Sequence, residues 1–318
     1  MPNLIPPKGV LEMADSAAYL LRRNLGPLLL LGLYSQIPWS LLNLFLNPAL
    51  FLRAAGGDPM KFMGALGLFY LLLLLIGVFW VPVMLVAIFH VGHSYVTGEP
   101  VSAGRSLEFA FRNYGRAFGT YFLYIMVVGM AATAAGIVLG VIIGIGGVTG
   151  PVGIVLGLLV AGPVLLAGIL YFVIGFLMTM PVLTVEGISG SAALKRAWDL
   201  AYRFHEAQTE SKTWVRFLLL TIVYWLVALS LWGAWLLPNI LISALWSASH
   251  APGSVPPLYL RAIGELFLLG MQVMNTTYHS LLFYFLYLDV RVRYEAFDLQ
   301  LAVQAPVEGP SAPLPEAT

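Results

Sequence analysis

The chain has 318 residues, 60% of them apolar and 10% charged, with a mean hydropathy of +0.88 and a net charge of +1. Soluble domains carry about 25% charged residues, so lipid must be the solvent for much of this surface. The near-zero charge gives no basic stripe for nucleic acid, and the absence of cysteine excludes disulfides, thiolate metal sites and cysteine nucleophiles.

Residues 1–24 read as a cytoplasmic segment holding an amphipathic helix. Leu11, Ala14, Ala18 and Leu21 form one face, against Glu12, Asp15, Arg22 and Arg23. The first long apolar run starts near Leu25 and no small-residue cleavage site follows a short core, so a cleavable signal is not expected. Six spans follow, at 25–47, 66–92, 119–147, 152–183, 213–243 and 262–289, by the ~20-residue apolar criterion. Residues 25–301 are therefore read as one membrane domain. The Pro/Ala/Glu-rich tail, 302–318, is expected to be disordered.

His90 and His93 end the second span at i,i+3 spacing, which suits a metal; interfacial hydrogen bonding is the default reading. No metal or cofactor is expected. Between the second and third spans, Leu107, Ala110, Phe111, Tyr114 and Phe118 recur at helical spacing, opposite Arg105, Glu108, Arg112 and Arg116. In 189–206, Leu194, Ala197, Trp198 and Ala201 repeat the pattern against Lys195, Arg196, Asp199 and Arg203. Ser102 and Ser189 are suitable N-caps for these helices, which should lie in the headgroup layer.

Each amphipathic stretch follows a similar phrase: Thr97-Gly-Glu99-Pro-Val-Ser102 and Thr184-Val-Glu186-Gly-Ile-Ser189, with Glu295-Ala-Phe-Asp298 after the last span. The expected fold is all-α and polytopic: six transmembrane helices in three loose, parallel repeats of one interfacial helix plus two spans. All Lys and Arg residues except Arg53, Lys61 and Arg261 fall on one side of that arrangement. This asymmetry predicts that both termini are cytoplasmic.

Gly146-Gly-Val-Thr-Gly150-Pro151 should reverse the chain tightly between the third and fourth spans. Gly136, Gly140 and Gly144 recur at every fourth residue. That spacing predicts close packing of the hairpin, with a self-association face as the alternative. Pro38, Pro82, Pro163 and Pro181 each remove one helix hydrogen bond and invite a kink. In the sixth span Gln272, Asn275, Thr276 and His279 share one stripe, which lipid cannot satisfy, so it must face the bundle interior or a wet cavity. Structural hydrogen bonding is the first reading and a substrate or proton path the second. Ser35, Gln36, Ser40 and Asn43 of the first span are the stripe's expected counterpart.

No zinc-protease, serine-hydrolase, Walker or dinucleotide pattern is present, so catalysis is not indicated. Lys195, Arg196, Arg291 and Arg293 are the candidate contacts for a lipid headgroup. Glu186 and Glu295 are placed to pair with Arg291, Arg293 or Lys195 at the same rim, as structural salt bridges first and a headgroup site second.

Two stretches carry a family resemblance: Pro181-Val-Leu-Thr-Val-Glu186 running into Ala193-Leu-Lys-Arg-Ala-Trp-Asp-Leu200, and Tyr287-Leu-Asp-Val-Arg-Val-Arg-Tyr-Glu-Ala-Phe-Asp-Leu299. Together they resemble the membrane domain of bacterial glycerophosphoryl diester phosphodiesterases and related uncharacterised membrane proteins. Ala296 stands where that family usually has Gly. The catalytic barrel often fused to that domain needs ~250 residues, and no polar stretch here approaches that length, so the resemblance does not carry the hydrolase activity over. It implies a bacterial inner-membrane setting and a link to lipid or headgroup metabolism, without site residues. The leading expectation is a non-enzymatic protein that binds or organises phospholipid at the inner leaflet. The alternative is a transporter or flippase using the polar face of the sixth span.

Overall fold

Long apolar runs without water must close their hydrogen bonds within the segment, and the described apolar runs of this chain do so as helices. The computed structural model describes residues 8–45, 59–202, 213–249 and 257–295. Among these there are eleven α-helices and no strand: α1 Val10–Arg23, α2 Leu25–Phe45, α3 Pro59–Phe79, α4 Val81–Thr97, α5 Ala103–Arg112, α6 Tyr114–Thr149, α7 Pro151–Phe176, α8 Thr179–Glu186, α9 Ser191–Tyr202, α10 Thr213–Ser249 and α11 Leu258–Glu295. The tail 302–318, with Asp298, Arg203 and Arg53, lies outside the described residues.

Five stretches are long and apolar enough to cross a membrane: Leu25–Leu44, Met60–Thr97, Tyr114–Gly144, Leu165–Glu186 and Val215–Gly233. The sixth expected span lies on α11, a continuous helix that is not among the five. Its polar stripe dilutes the apolar character that the others keep. Among the described residues 46 large apolar side chains stand exposed, including Ile137, Leu159, Leu229 and Leu245. Water tolerates no such surface on a monomer, and lipid does.

The core gathers at one end of the bundle, the end rich in basic residues. There α4 and α11 lie at the centre, with α2 and α10 against α11 and α8 against α4. Val86, Ala87, Ile88 and Val91 of α4 share one buried cluster with Leu281, Tyr284 and Leu286 of α11, with Met178 at the N-cap of α8, and with Val182 of α8. Helix α1 crosses this end: Lys8 is tied to Asp289 at one side and the Arg23 guanidinium lies over the Tyr95 ring at the other. Met13, Ala17 and Leu20 of α1 are fully buried, whereas Leu11, expected on its apolar face, is 71% exposed.

Three single glycines set the closest approaches. A Cβ on Gly32 of α2 would stand 2.6 Å from Thr277 Oγ1, one on Gly92 of α4 2.7 Å from the Tyr284 ring, and one on Gly175 of α7 would overlap the Trp198 ring. The expected stripe behaves differently. Gly136, Gly140 and Gly144 are exposed, and a Cβ there meets nothing within 4 Å. The α6–α7 hairpin does close tightly through the turn at Gly150 (φ 90°) and Pro151, but it does so on another face.

The repeated phrase also needs a correction. Spans α4 and α8 each end on a left-handed glycine, Gly98 (φ 78°) and Gly187 (φ 68°). Aligned on these glycines, Glu99 follows its glycine and Glu186 precedes its own, so the two glutamates are out of register. Ser102 does stand at the N-cap of α5, without a side-chain cap bond. Ser189 does not cap α9, which starts at Ser191 after Gly190 (φ 67°), whose N–H donates to Thr120 Oγ1 at 2.7 Å.

Candidate functional site

The last turns of α11 carry Tyr287, Asp289, Arg291, Arg293 and Glu295, and their i,i+4 spacing pairs them along the helix. The left-handed turn at Gly187 brings Glu186 and then Arg196 of α9 against the same turns. One cluster results. Tyr287 donates to Glu186 Oε1 at 2.8 Å, and Arg196 Nε donates to Glu186 Oε2 at 2.9 Å. Arg196 also pairs with Glu295, which accepts from Arg291 Nε at 2.9 Å.

A second cluster surrounds Asp289, whose side chain is only 2% exposed. Its carboxylate accepts from the Lys8 backbone N–H at 2.7 Å, from Arg216 of α10, and from Arg293 Nε at 3.0 Å. Arg216 and Arg293 also donate to the Lys8 carbonyl, at 3.2 and 3.1 Å. Burial pushes the Lys8 amine below its ordinary range, against the pull of Glu12 and Asp289. The amine donates to Ser16 Oγ at 2.6 Å and lies over the Phe285 ring.

The four candidate headgroup contacts thus divide. Arg196 and Arg291 share two carboxylates with each other, and Arg293 is held by Asp289. Lys195, one residue from Arg196 but on the outer face of α9, is exposed. Arg22, Arg23, Arg105, Arg112 and Arg116 are exposed too, Arg112 in a surface pair with Glu108. Among the described residues these exposed cations carry no buried carboxylate partner, whereas Arg196, Arg216 and Arg291 are at least partly buried and Arg293, though exposed, is bound to Asp289.

The polar stripe of α11 divides as well. Thr276 turns to α2 and accepts from Gln36 Nε2 at 2.9 Å, which matches the expected counterpart face. Asn275 turns to α10 and donates to the Tyr224 hydroxyl at 2.8 Å, leaving its own Oδ1 buried without a donor. Gln272 Oε1 is buried in the same condition. His279 lies tilted against the Tyr224 ring and edge-to-face with Phe283, with ring centroids 4.2 and 4.3 Å away.

His279 also borders a cavity of about 170 Å³. Phe89 of α4, Phe176 of α7 and Phe283 of α11 line it, with Tyr121 and Tyr124 of α6. It lies where the α6–α7 hairpin, joined to the rest through α4, α8 and α9, makes no extensive contact with α10 or α11.

No family model, no curated protein and no solved structure matches the chain. Its chemistry therefore rests on these residues. Among the described residues no three His, Asp or Glu side chains gather to hold a metal ion. His90 is an anchor for α5: it shares a 3.1 Å hydrogen bond with Ser106 and stacks on Phe109. Sequence reasoning passed over Tyr121, Tyr124 and Tyr287. The first two had a readable signal, two hydroxyls one turn apart on an apolar helix. Asp289 had one as well, as the acid between an apolar run and two arginines.

Proposed function

We propose that this chain is a non-enzymatic integral membrane protein that binds and organises anionic phospholipid at the inner leaflet of a bacterial plasma membrane. In this reading α11 is the sixth span, the three repeats are loose, and both ends of the chain are cytoplasmic. The observation that carries the proposal is the division of basic side chains. Arg196, Arg216, Arg291 and Arg293 are bound to carboxylates, while Arg22, Arg105, Arg116 and Lys195 stand exposed around the same end. A cation already neutralised by a buried carboxylate has little left for a phosphate. An exposed one at an anionic surface contributes about 1 kcal/mol.

The headgroup contacts therefore shift outward from the α11 arginines to the interfacial helices α5 and α9 and the α6 terminus. Replacing Arg105, Arg116 and Lys195 together by Gln should cut retention of anionic lipid on the order of a hundredfold, from ~3 kcal/mol of lost attraction. Native mass spectrometry of protein taken gently from mixed-lipid membranes reads this directly. Equal retention by the triple variant would end the proposal.

The resemblance to the membrane part of glycerophosphoryl diester phosphodiesterases fits this setting and suggests an accessory role in lipid metabolism. A second copy or a partner helix would meet the open face at Gly136, Gly140 and Gly144, where glycine leaves a flat ridge. The transporter or flippase reading has less to stand on. The polar stripe is split among α2, α10 and a cavity with mostly aromatic walls, so its members do not line one polar path.

A further inference from the structure

The cavity beside His279 holds an imbalance between its walls and its polar groups. Its walls are largely aromatic, from Phe89, Phe176 and Phe283, yet Tyr121, Tyr124 and His279 also border it. Other hydroxyls in this region are satisfied locally: Thr179 donates to the Phe176 carbonyl at 2.6 Å and Ser280 to that of Thr276 at 2.9 Å. Among the described residues the Tyr121 and Tyr124 hydroxyls and the His279 ring nitrogens have no such partner. Nor are they sealed in protein, as Gln272 Oε1 and Asn275 Oδ1 are. Their residues line the cavity, and each polar group left unmet in an apolar place is costly.

Depth narrows what can meet them. Thr179, on the cavity wall, and Glu186, in the rim cluster, begin and end the helix α8, so the cavity lies roughly 10 Å inward from the rim at 1.5 Å per residue. A phospholipid brings mainly methylene groups to that depth, which satisfy nothing. The required occupant carries oxygen acceptors inside the hydrocarbon layer. A cavity of about 150 Å³ accepts a benzene ring, and this one is of that size. Three donors and flat aromatic walls complement a ring bearing carbonyls, and the gap between the α6–α7 hairpin and α10–α11 gives a lipid tail a way out.

We propose that this cavity binds the head of a lipid-soluble quinone. Its carbonyls accept from the Tyr121 and Tyr124 hydroxyls and from the His279 N–H, and its ring lies among Phe89, Phe176 and Phe283. The inference concerns binding alone and does not rest on the phospholipid collar.

The test uses full-length protein in nanodiscs and a benzoquinone with a decyl tail, with bound and free quinone separated and read by absorbance. Saturable binding at one site per chain is expected. Tyr121→Phe with Tyr124→Phe keeps both rings and removes both hydroxyls, and should weaken binding about tenfold. His279→Phe should weaken it further by also reducing the space, while Tyr70→Phe, on an exposed face of α3, should leave it unchanged. The triple change at Arg105, Arg116 and Lys195 should lose phospholipid and keep the quinone, which separates this site from the collar. Methyl decanoate, which carries an ester carbonyl without a ring, should fail to compete. Equal competition by the ester would overturn the quinone assignment. Non-saturable uptake, or binding indifferent to the tyrosine pair, would mean the cavity holds water only.

Discussion

The two ends of this bundle are built by different rules. At the basic end, helices meet through buried side chains, three close-approach glycines and two ion clusters that tie α1, α8, α9, α10 and α11 together. At the other end the same long helices continue with apolar side chains pointing outward and glycines that touch nothing. Apolar composition does not separate the ends, since both are rich in Leu, Val and Gly. What differs is whether a side chain has a protein neighbour or lipid. Specificity of structure is thus concentrated at the end where charge is available to fix helix positions.

The largest break in this contrast should come from Asp289→Asn. Removing one partner of a buried pair typically costs 3–5 kcal/mol, about what is expected here because Arg216 and Arg293 lose their shared carboxylate. Unfolding in mixed micelles would measure it. A loss under about 1 kcal/mol would mean the cluster is solvated like a surface pair.

Next come the glycines. Gly32→Ala forces a methyl group to 2.6 Å from Thr277 Oγ1 and 3.1 Å from the Val273 carbonyl. Overpacking of this kind costs about 1–3 kcal/mol. Gly92→Ala, against the Tyr284 ring, should behave alike. Gly140→Ala on the far half of α6 should stay within about 0.5 kcal/mol of the parent in a monomeric preparation, as surface changes do. Equal costs at Gly32 and Gly140 would erase the distinction between the ends.

The smallest effect concerns pH. Burial holds the Lys8 amine below its ordinary 10.5, with Glu12 and Asp289 opposing the shift. Between the lowered value and 10.5 the unfolded chain binds more protons than the folded one. Stability from this group therefore rises with pH across that window and is flat below it. Lys8→Met should remove that slope from the alkaline part of the unfolding profile. A profile unchanged by the substitution would contradict the buried amine.

The all-helical class and the apolar segments were legible because hydropathy and span length follow from lipid as solvent. The turn at Gly150-Pro151, the pairing of Glu186 and Glu295 with arginines, and the Gln36–Thr276 contact were legible from residue type and spacing. The packing glycines were not. Gly136, Gly140 and Gly144 have the spacing of a helix contact but face outward, whereas Gly32, Gly92 and Gly175 stand alone in sequence. Spacing marks a flat ridge, and only the partner's side chain decides whether the ridge is used. The carboxylate partners of Arg291 were hidden for a similar reason. A basic run after a span looks available for phosphate until the fold brings carboxylates from α8 and from its own helix to meet it. The cavity was invisible because its polar groups come from helices far apart in the chain.

The central claim is that inner and outer charges at the basic end do different work. The most direct measurement is a paired one: unfolding stability and anionic-lipid retention for Asp289→Asn and for the triple Arg105, Arg116 and Lys195 change to Gln. The aspartate variant should lose stability, and its remaining folded fraction should keep its lipid. The triple variant should keep its stability and lose the lipid. A triple variant that unfolds early while retaining lipid, or an aspartate variant that is stable but bare, would contradict the division of charge proposed here.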